Sequence, residues 1–309
     1  MRWNVLEIAH NDRYLKLFRG FAVVMERDNE LGRVTLDELC CVIVSAEQAT
    51  VSKALLVRLA ELGVPLVVCG SNYLPISITL PLSAHYHSRG VLELQISVSQ
   101  PLKKRLWQQL VKLKIQHQTA VLRCNKPTQK AAASQLKRMS QQVTSGDSKN
   151  HEAQAARLYW QSLMGRQFRR QQKSEDIINS ALNYGYAIIR AACARAIVAA
   201  GLNPSLGLHH KNMLNSFCLA DDIMEIYRPL VDNQVVQTQF EQTLTTEDKR
   251  RLAKILQLDI KLGDTTTTVN TSMASVAVSL VQSLKLGTNQ LCLPELILET
   301  NTPTSAITG

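Results

Sequence analysis

An α+β fold, with an N-terminal mostly-β domain followed by a larger all-α domain, is what this sequence predicts, and three observations carry it. Up to about residue 90 the chain holds short apolar runs rich in β-branched residues and separated by turn residues, the pattern of strands. From Pro101 onward leucines recur three to four positions apart, the spacing of one helix face. The 309 residues suffice for two domains, given roughly 100–200 residues per domain.

Taken in order, the strand signals are NVLEI, YLKLF and FAVVM, a turn at DNELG, then CCVIV, PLVVCG and PISITL. One amphipathic helix interrupts them from Val51 to Leu62, with Leu55, Leu59 and Leu62 at helical spacing. These elements make residues 1–90 one β-rich domain, and 91–100 reads as a linker. In the helical domain, 101–287, Leu102, Leu106, Leu110 and Leu113 mark the first long helix. The stretch 124–150, rich in Lys, Gln, Ser and Ala, reads as a helix between mobile loops. Asn150 is a candidate cap for a helix that places Glu152, Ala156 and Tyr159 along one side. An alanine-rich helix follows over 175–200 and ends at Gly201, and 288–309 reads as a flexible tail.

The opening MRWNVLEIAHNDRYLKLF has no signal-peptide apolar region, and no run approaches the ~18–20 apolar residues of a membrane span, so a soluble, cytoplasmic protein with no membrane partner is expected. Seven cysteines without C-x-x-C spacing, Cys40, Cys41, Cys69 and Cys193 among apolar neighbours, suit reduced core thiols; neither a structural disulfide nor zinc is expected. The net charge of +10 is localised. Residues 1–100 carry 9 Lys and Arg against 10 acids, 101–180 carry 16 against 4, and 181–309 carry 10 against 11. A solvated helical face accounts for some of this. A whole charge excess confined to 80 residues, from Lys103, Lys104 and Arg105 through Arg166, Arg169, Arg170 and Lys173, points to a polyanion, and DNA or RNA is the leading class.

Two histidines and three acids crowd into LGLHHKNMLNSFCLADDIMEIYRPLVD, residues 206–232. Asp222 and Glu225 share a helix face, as do Asp221 and Glu225, and either pair can hold a cation. Acids at a helix start capped by Ser216 are the ordinary alternative, but Glu225 lies nine residues past Ser216, beyond the reach of the helix dipole. Arg228 is its candidate ion-pair partner, and Pro229 removes a helical bond to the Glu225 carbonyl, so the helix should bend there. His209 and His210 sit on the loop before the helix, where adjacent side chains diverge, so at most one joins the acids. Imidazole with carboxylates suits Mn²⁺ and tolerates Mg²⁺. Glu152 is one of the four acids inside the basic stretch.

E-A-Q-A-A-R-x-Y-W after a G-D loop, L-N-Y-G-Y-A-I-I-R at 182–190, L-G-L-H-H and L-A-D-D-I-M-E-I-Y-R-P-L occur here in the order found in the CRISPR-associated integrases, the Cas-one family, which the chain resembles over essentially its whole length. The E-A-x-A-A and H-H-K-N forms resemble the subgroup that accompanies a single large RNA-guided effector nuclease. By position, the resemblance implies Glu152, His210 and Glu225 as catalytic metal ligands, with Asp222 as an additional acid and no such role for Asp221 or His209. It implies Mg²⁺ or Mn²⁺ as cofactor, DNA as substrate, a homodimer formed through the β module, and a second small adaptation protein in a larger complex. The implied activity is insertion of short DNA fragments into a repeat array by 3′-hydroxyl attack on a phosphodiester, with hydrolysis when water takes the hydroxyl's place. Arg157, Arg166, Arg169 and Arg170, near Glu152 in sequence, are the candidate contacts to the DNA backbone. A general metal-dependent nuclease and a non-catalytic nucleic-acid-binding scaffold are the alternatives.

Overall fold

The computed structural model describes residues 4–70, 75–79, 81, 88–171 and 176–298; Leu80, Lys173 and the tail beyond 298 lie outside them. The N-terminal part holds β1 (Asn4–Ile8), β2 (Arg13–Phe18), β3 (Phe21–Glu26), β4 (Asn29–Thr35), β5 (Leu39–Val44), β6 (Ala49–Val51), α1 (Lys53–Glu61), β7 (Leu66–Cys69) and β8 (Pro75–Thr79). DNELG, expected as a turn, supplies most of its residues to β4 instead, which pairs antiparallel with β3. The expected helix is α1, shorter than 51–62 because the Ser52 side chain caps it through the Leu55 N–H.

Two four-stranded sheets result, one in the order β1-β5-β7-β8 and one in the order β4-β3-β2-β6. Between them Leu15, Ala22, Leu39, Val42 and Val44 pack with Leu55 and Leu59 of α1. Alternation along β5 sends Val42 and Val44 into that core, while Cys41 and Ile43 point the other way and join the core of the helices. The first sheet is thus covered on both faces, which suits its parallel β1-β5-β7 pairings and its near-continuous apolar strands. Tyr184 donates to Glu7 Oε2 at 2.6 Å across the same junction.

The helical part contains α2 (Ser88–Ser97), α3 (Gln100–Asn125), α4 (Lys130–Gln142), α5 (His151–Met164), α6 (Ile177–Ala199), α7 (Cys218–Met224), α8 (Arg228–Gln237), α9 (Thr246–Ala253) and α10 (Val269–Leu286). Residues 91–100, expected as a linker, are mostly helix α2, whose Val91 and Gln95 are buried. The helical part also carries a small sheet unforeseen in the sequence, β9 (Asp259–Leu262) between β10 (Thr265–Thr268) and β11 (Glu295–Leu296). Helix α3, some 26 residues long, is the spine. Its leucines at 102, 106, 110 and 113 are buried as the spacing predicts, and it packs on α4, α5, α7 and α8. Among the described residues no helix is long and apolar enough to cross a membrane.

Candidate metal centre

Four segments meet around α3. Trp107 and Lys114 lie seven residues apart, two helical turns, and so share one face. Trp107 stacks on His209 with ring centroids 4.4 Å apart and planes 4° from parallel, and meets His210 edge-on at 5.8 Å. Lys114 reaches two carboxylates: its Nζ lies 2.6 Å from Glu152 Oε1 and 2.5 Å from Glu225 Oε2. Three residues on, His117 Nδ1 donates to the Ile226 carbonyl at 2.6 Å, so α3 also anchors the backbone beside Glu225.

Glu152 enters from α5. Asn150 does not cap this helix by its side chain; it takes a left-handed conformation, φ 54°. Asp147 caps instead, its two oxygens accepting from His151 N and Glu152 N, each at 2.9 Å. The G-D loop therefore fixes the backbone of Glu152 itself. Ser216 likewise does not cap α7; Asn215 Oδ1 accepts from Phe217 N at 3.0 Å.

Asp222, expected among the metal ligands, has both its oxygens engaged by donors of the histidine loop. It is 0 % exposed and accepts from the backbone N–H groups of Leu208 at 2.6 Å, His209 at 3.0 Å and His210 at 3.2 Å, and from His210 Nδ1 at 2.6 Å. It folds the histidine loop onto α7 and orients the His210 ring; with Nδ1 donating to this carboxylate, the neutral imidazole carries its lone pair on Nε2. The Asp222 hydrogen bond also holds the imidazole's pKa above its ordinary value, against the effect of burial and with help from Glu225. Close packing at Gly207 makes this clamp possible: a Cβ there would stand 2.4 Å from the His210 carbonyl oxygen and 2.9 Å from Asp222 Oδ2. Asp221, which had no assigned role, forms a two-pronged pair with Arg190 at 2.6 and 3.0 Å and accepts from Asn215, pinning the far side of the same loop.

Glu225 lies just past α7, where Pro229 has broken the helix as expected: α7 stops at Met224 and α8 starts at Arg228. The carboxylate is 4 % exposed, with Arg228 3.1 Å from Oε1 and Lys114 at Oε2. Burial pushes its pKa up; Arg228, Lys114 and His210 outweigh that and hold it below the ordinary value. Oε2 faces the Lys114 ammonium. Glu152 and Glu225 are thus brought together on one buried cation, with His210 electrostatically coupled to Glu225. Among the described residues no three His, Cys, Asp or Glu side chains stand at ligand spacing: Glu152 and Glu225 meet through Lys114, and the expected set with His210 does not form a ligand cluster. The two carboxylates that meet at this compact cation are hard oxygen donors, the chemical type that Mg²⁺ and Mn²⁺ accept.

Of the four arginines assigned to DNA, Arg157, Arg166 and Arg169 are exposed. Arg170 differs, since its guanidinium donates to Asn179 and Asn183 and lies over the Tyr186 ring. Arg157, Arg169 and Arg170 line an open cleft with Trp160 and Phe168 beside α5. Sequence reasoning missed Lys114, Trp107 and Asp147. The one local signal for Lys114 was a charge four residues after Leu110, within the apolar stripe, where a solvated lysine has no business.

The model of one protein family, described as CRISPR associated protein Cas1, matches residues 6–265. A relative from Neisseria meningitidis serogroup C (strain 8013), named CRISPR-associated endonuclease Cas1, is 37 % identical over 266 residues, covering 85 % of this chain and 86 % of its own. Among solved structures, a casposase bound to integration product superposes with a TM-score of 0.77 at 15 % identity, over 94 % of this chain and 92 % of that one. A Cas6-RT-Cas1–Cas2 complex contains a chain that superposes with a TM-score of 0.75 at 19 % identity, over 96 % of this chain and 36 % of the other. At such identities the superpositions establish a common fold, whereas the sequence match extends over most of the chain, and on that ground it belongs to the Cas1 family of CRISPR-associated proteins.

Proposed function

We propose that this chain is a divalent-metal-dependent DNA integrase and endonuclease that inserts short DNA fragments into a CRISPR repeat array. The observation that carries the reading is the convergence of Glu152 and Glu225 on one buried cation, beside a histidine whose ring Asp222 orients. Glu152, Glu225 and His210 Nε2 would hold Mg²⁺ or Mn²⁺, and Asp222 would act by orienting His210. Bound there, the ion supplies charge stabilisation at the phosphoryl oxygens and acidifies the attacking hydroxyl. In the reaction a fragment 3′-oxygen forms a bond to phosphorus as the bond to the neighbouring 3′-oxygen breaks, and that oxygen leaves as a hydroxyl. Arg157, Arg166 and Arg169 would hold the DNA backbone in line, which is where most of the barrier to such a transfer is overcome.

Assembly follows the same reading: a homodimer through the β module, and a complex with a second small adaptation protein. The likeness to a chain of a Cas1–Cas2 complex supports the second point. The subgroup accompanying a single large effector nuclease is the one we assign, from the E-A-x-A-A and H-H-K-N forms.

The test uses a repeat-bearing supercoiled plasmid, a short duplex, the second adaptation protein and Mn²⁺ or Mg²⁺. Wild-type protein should insert the duplex, and Glu225→Ala should insert at least about a thousandfold more slowly while still binding DNA. Nicking without gain of the fragment would mean a general nuclease. Normal insertion by folded Glu225→Ala would leave a scaffold with its chemistry elsewhere.

A further inference from the structure

We propose that Lys114 is a built-in counter-cation of the carboxylate centre: its ammonium holds Glu152 and Glu225 together and competes with the divalent ion for them, so that it sets how tightly the ion binds. The inference rests on the metal-centre reading above and goes beyond it by assigning a residue that the ordered motifs do not contain.

Four observations support it. The ammonium, on a side chain 10 % exposed, makes its two ionic contacts with the two glutamates assigned as ligands. A lysine placed inside an apolar helix face is costly unless paired, so its position is explained by the carboxylates and by little else on α3. The charges already balance without an added ion, since Glu152 and Glu225 face Lys114 and Arg228. Finally, among the described residues the acids and histidines do not close into a ligand cage, and the ammonium stands between the glutamates. A divalent ion therefore enters by displacing the ammonium, and the displaced charge opposes its entry.

Mn²⁺ binding to the full-length protein, read by the electron paramagnetic resonance signal of the free ion, tests this. Lys114→Met keeps the apolar stem and removes the charge; it should bind Mn²⁺ roughly tenfold more tightly than wild type. Its melting temperature should fall in chelator and rise more with Mn²⁺ than that of wild type. A lysine that serves only packing would not tighten metal binding when removed, so a folded Lys114→Met with wild-type or weaker affinity overturns the proposal. Lys114→Arg decides the matter if the methionine variant does not fold. Its planar fork clamps two carboxylates more firmly, so Mn²⁺ affinity should drop by roughly threefold or more; unchanged affinity overturns the proposal. Should wild type and both variants bind no Mn²⁺ at millimolar concentration, the metal-centre reading itself fails, whereas binding by wild type that Lys114→Met does not improve sinks only the role of Lys114.

Discussion

His117 is a buried imidazole on the helix that carries Lys114, and its Nδ1 hydrogen bond satisfies a carbonyl that the break before Pro229 leaves without a helical partner. Burial pushes its pKa down to about 4, with the Ile226 bond opposing. The sign follows from proton counting. Between the unfolded value near 6.5 and the folded value near 4 the unfolded chain binds the extra proton, so stability present at neutral pH is lost as pH falls through that window. The full effect is at most about 3 kcal/mol. Asp232 works in the opposite direction: burial raises its pKa to about 7 against the hydrogen bonds from Tyr186 and Tyr159, and its contribution declines as pH rises from its unfolded value toward 7. Comparison with His117→Gln cancels that second effect. Urea titrations at pH 7 and pH 4.5 should show the stability gap between wild type and His117→Gln shifting toward the variant by up to about 3 kcal/mol at the lower pH. A gap independent of pH would contradict a neutral, buried His117.

The histidine loop, 207–210, has little secondary structure, and Asp222 holds it by three backbone N–H groups and one ring nitrogen. Any side chain at Gly207 intrudes on that clamp. Gly207→Ala should therefore displace His210 by a fraction of an ångström or more, while the core of α3, α6 and α8 stays packed. Insertion should slow by roughly a hundredfold, the scale on which misplacement of a reacting group operates. Stability should fall by only about 1–3 kcal/mol. Thermal melts alongside insertion rates check this, and a variant with both values unchanged would show that the loop tolerates the intrusion. His209 belongs to the same element. Its ring stacks on Trp107, a contact that its place in the sequence did not reveal.

For the molecule as a whole, a basic helical region is mounted on a sheet pair of nearly neutral charge. Arg157, Arg166 and Arg169 project from the α5 end, while Lys103 lies near Lys211 and Asp222 at the histidine loop. About five phosphate contacts along this path predict a log–log slope of DNA affinity against salt of about −4 or steeper. The Arg157→Ala, Arg166→Ala double variant should flatten it by about two. Fluorescence anisotropy over a salt series measures both, and a flat dependence in wild type would move the DNA to another face.

The order of the two parts, the helix around Leu55 and Leu59, the leucine face of α3 and the long helix before Gly201 were all legible, because hydrophobic periodicity is settled by neighbours along the chain. The identities of Glu152, His210 and Glu225 as candidates came from ordered motifs, again a property of the string. What the tertiary structure alone decided is who meets whom. Lys114 and Glu152 are 38 residues apart and meet only because α3 and α5 pack side by side. Asp222 and Glu225 looked alike as acids on one helix, yet one is consumed by backbone N–H groups and the other faces two cations. Chain geometry had left both outcomes open, since a carboxylate's role depends on which donors reach it, and those donors come from remote segments whose placement depends on the packing of the whole core.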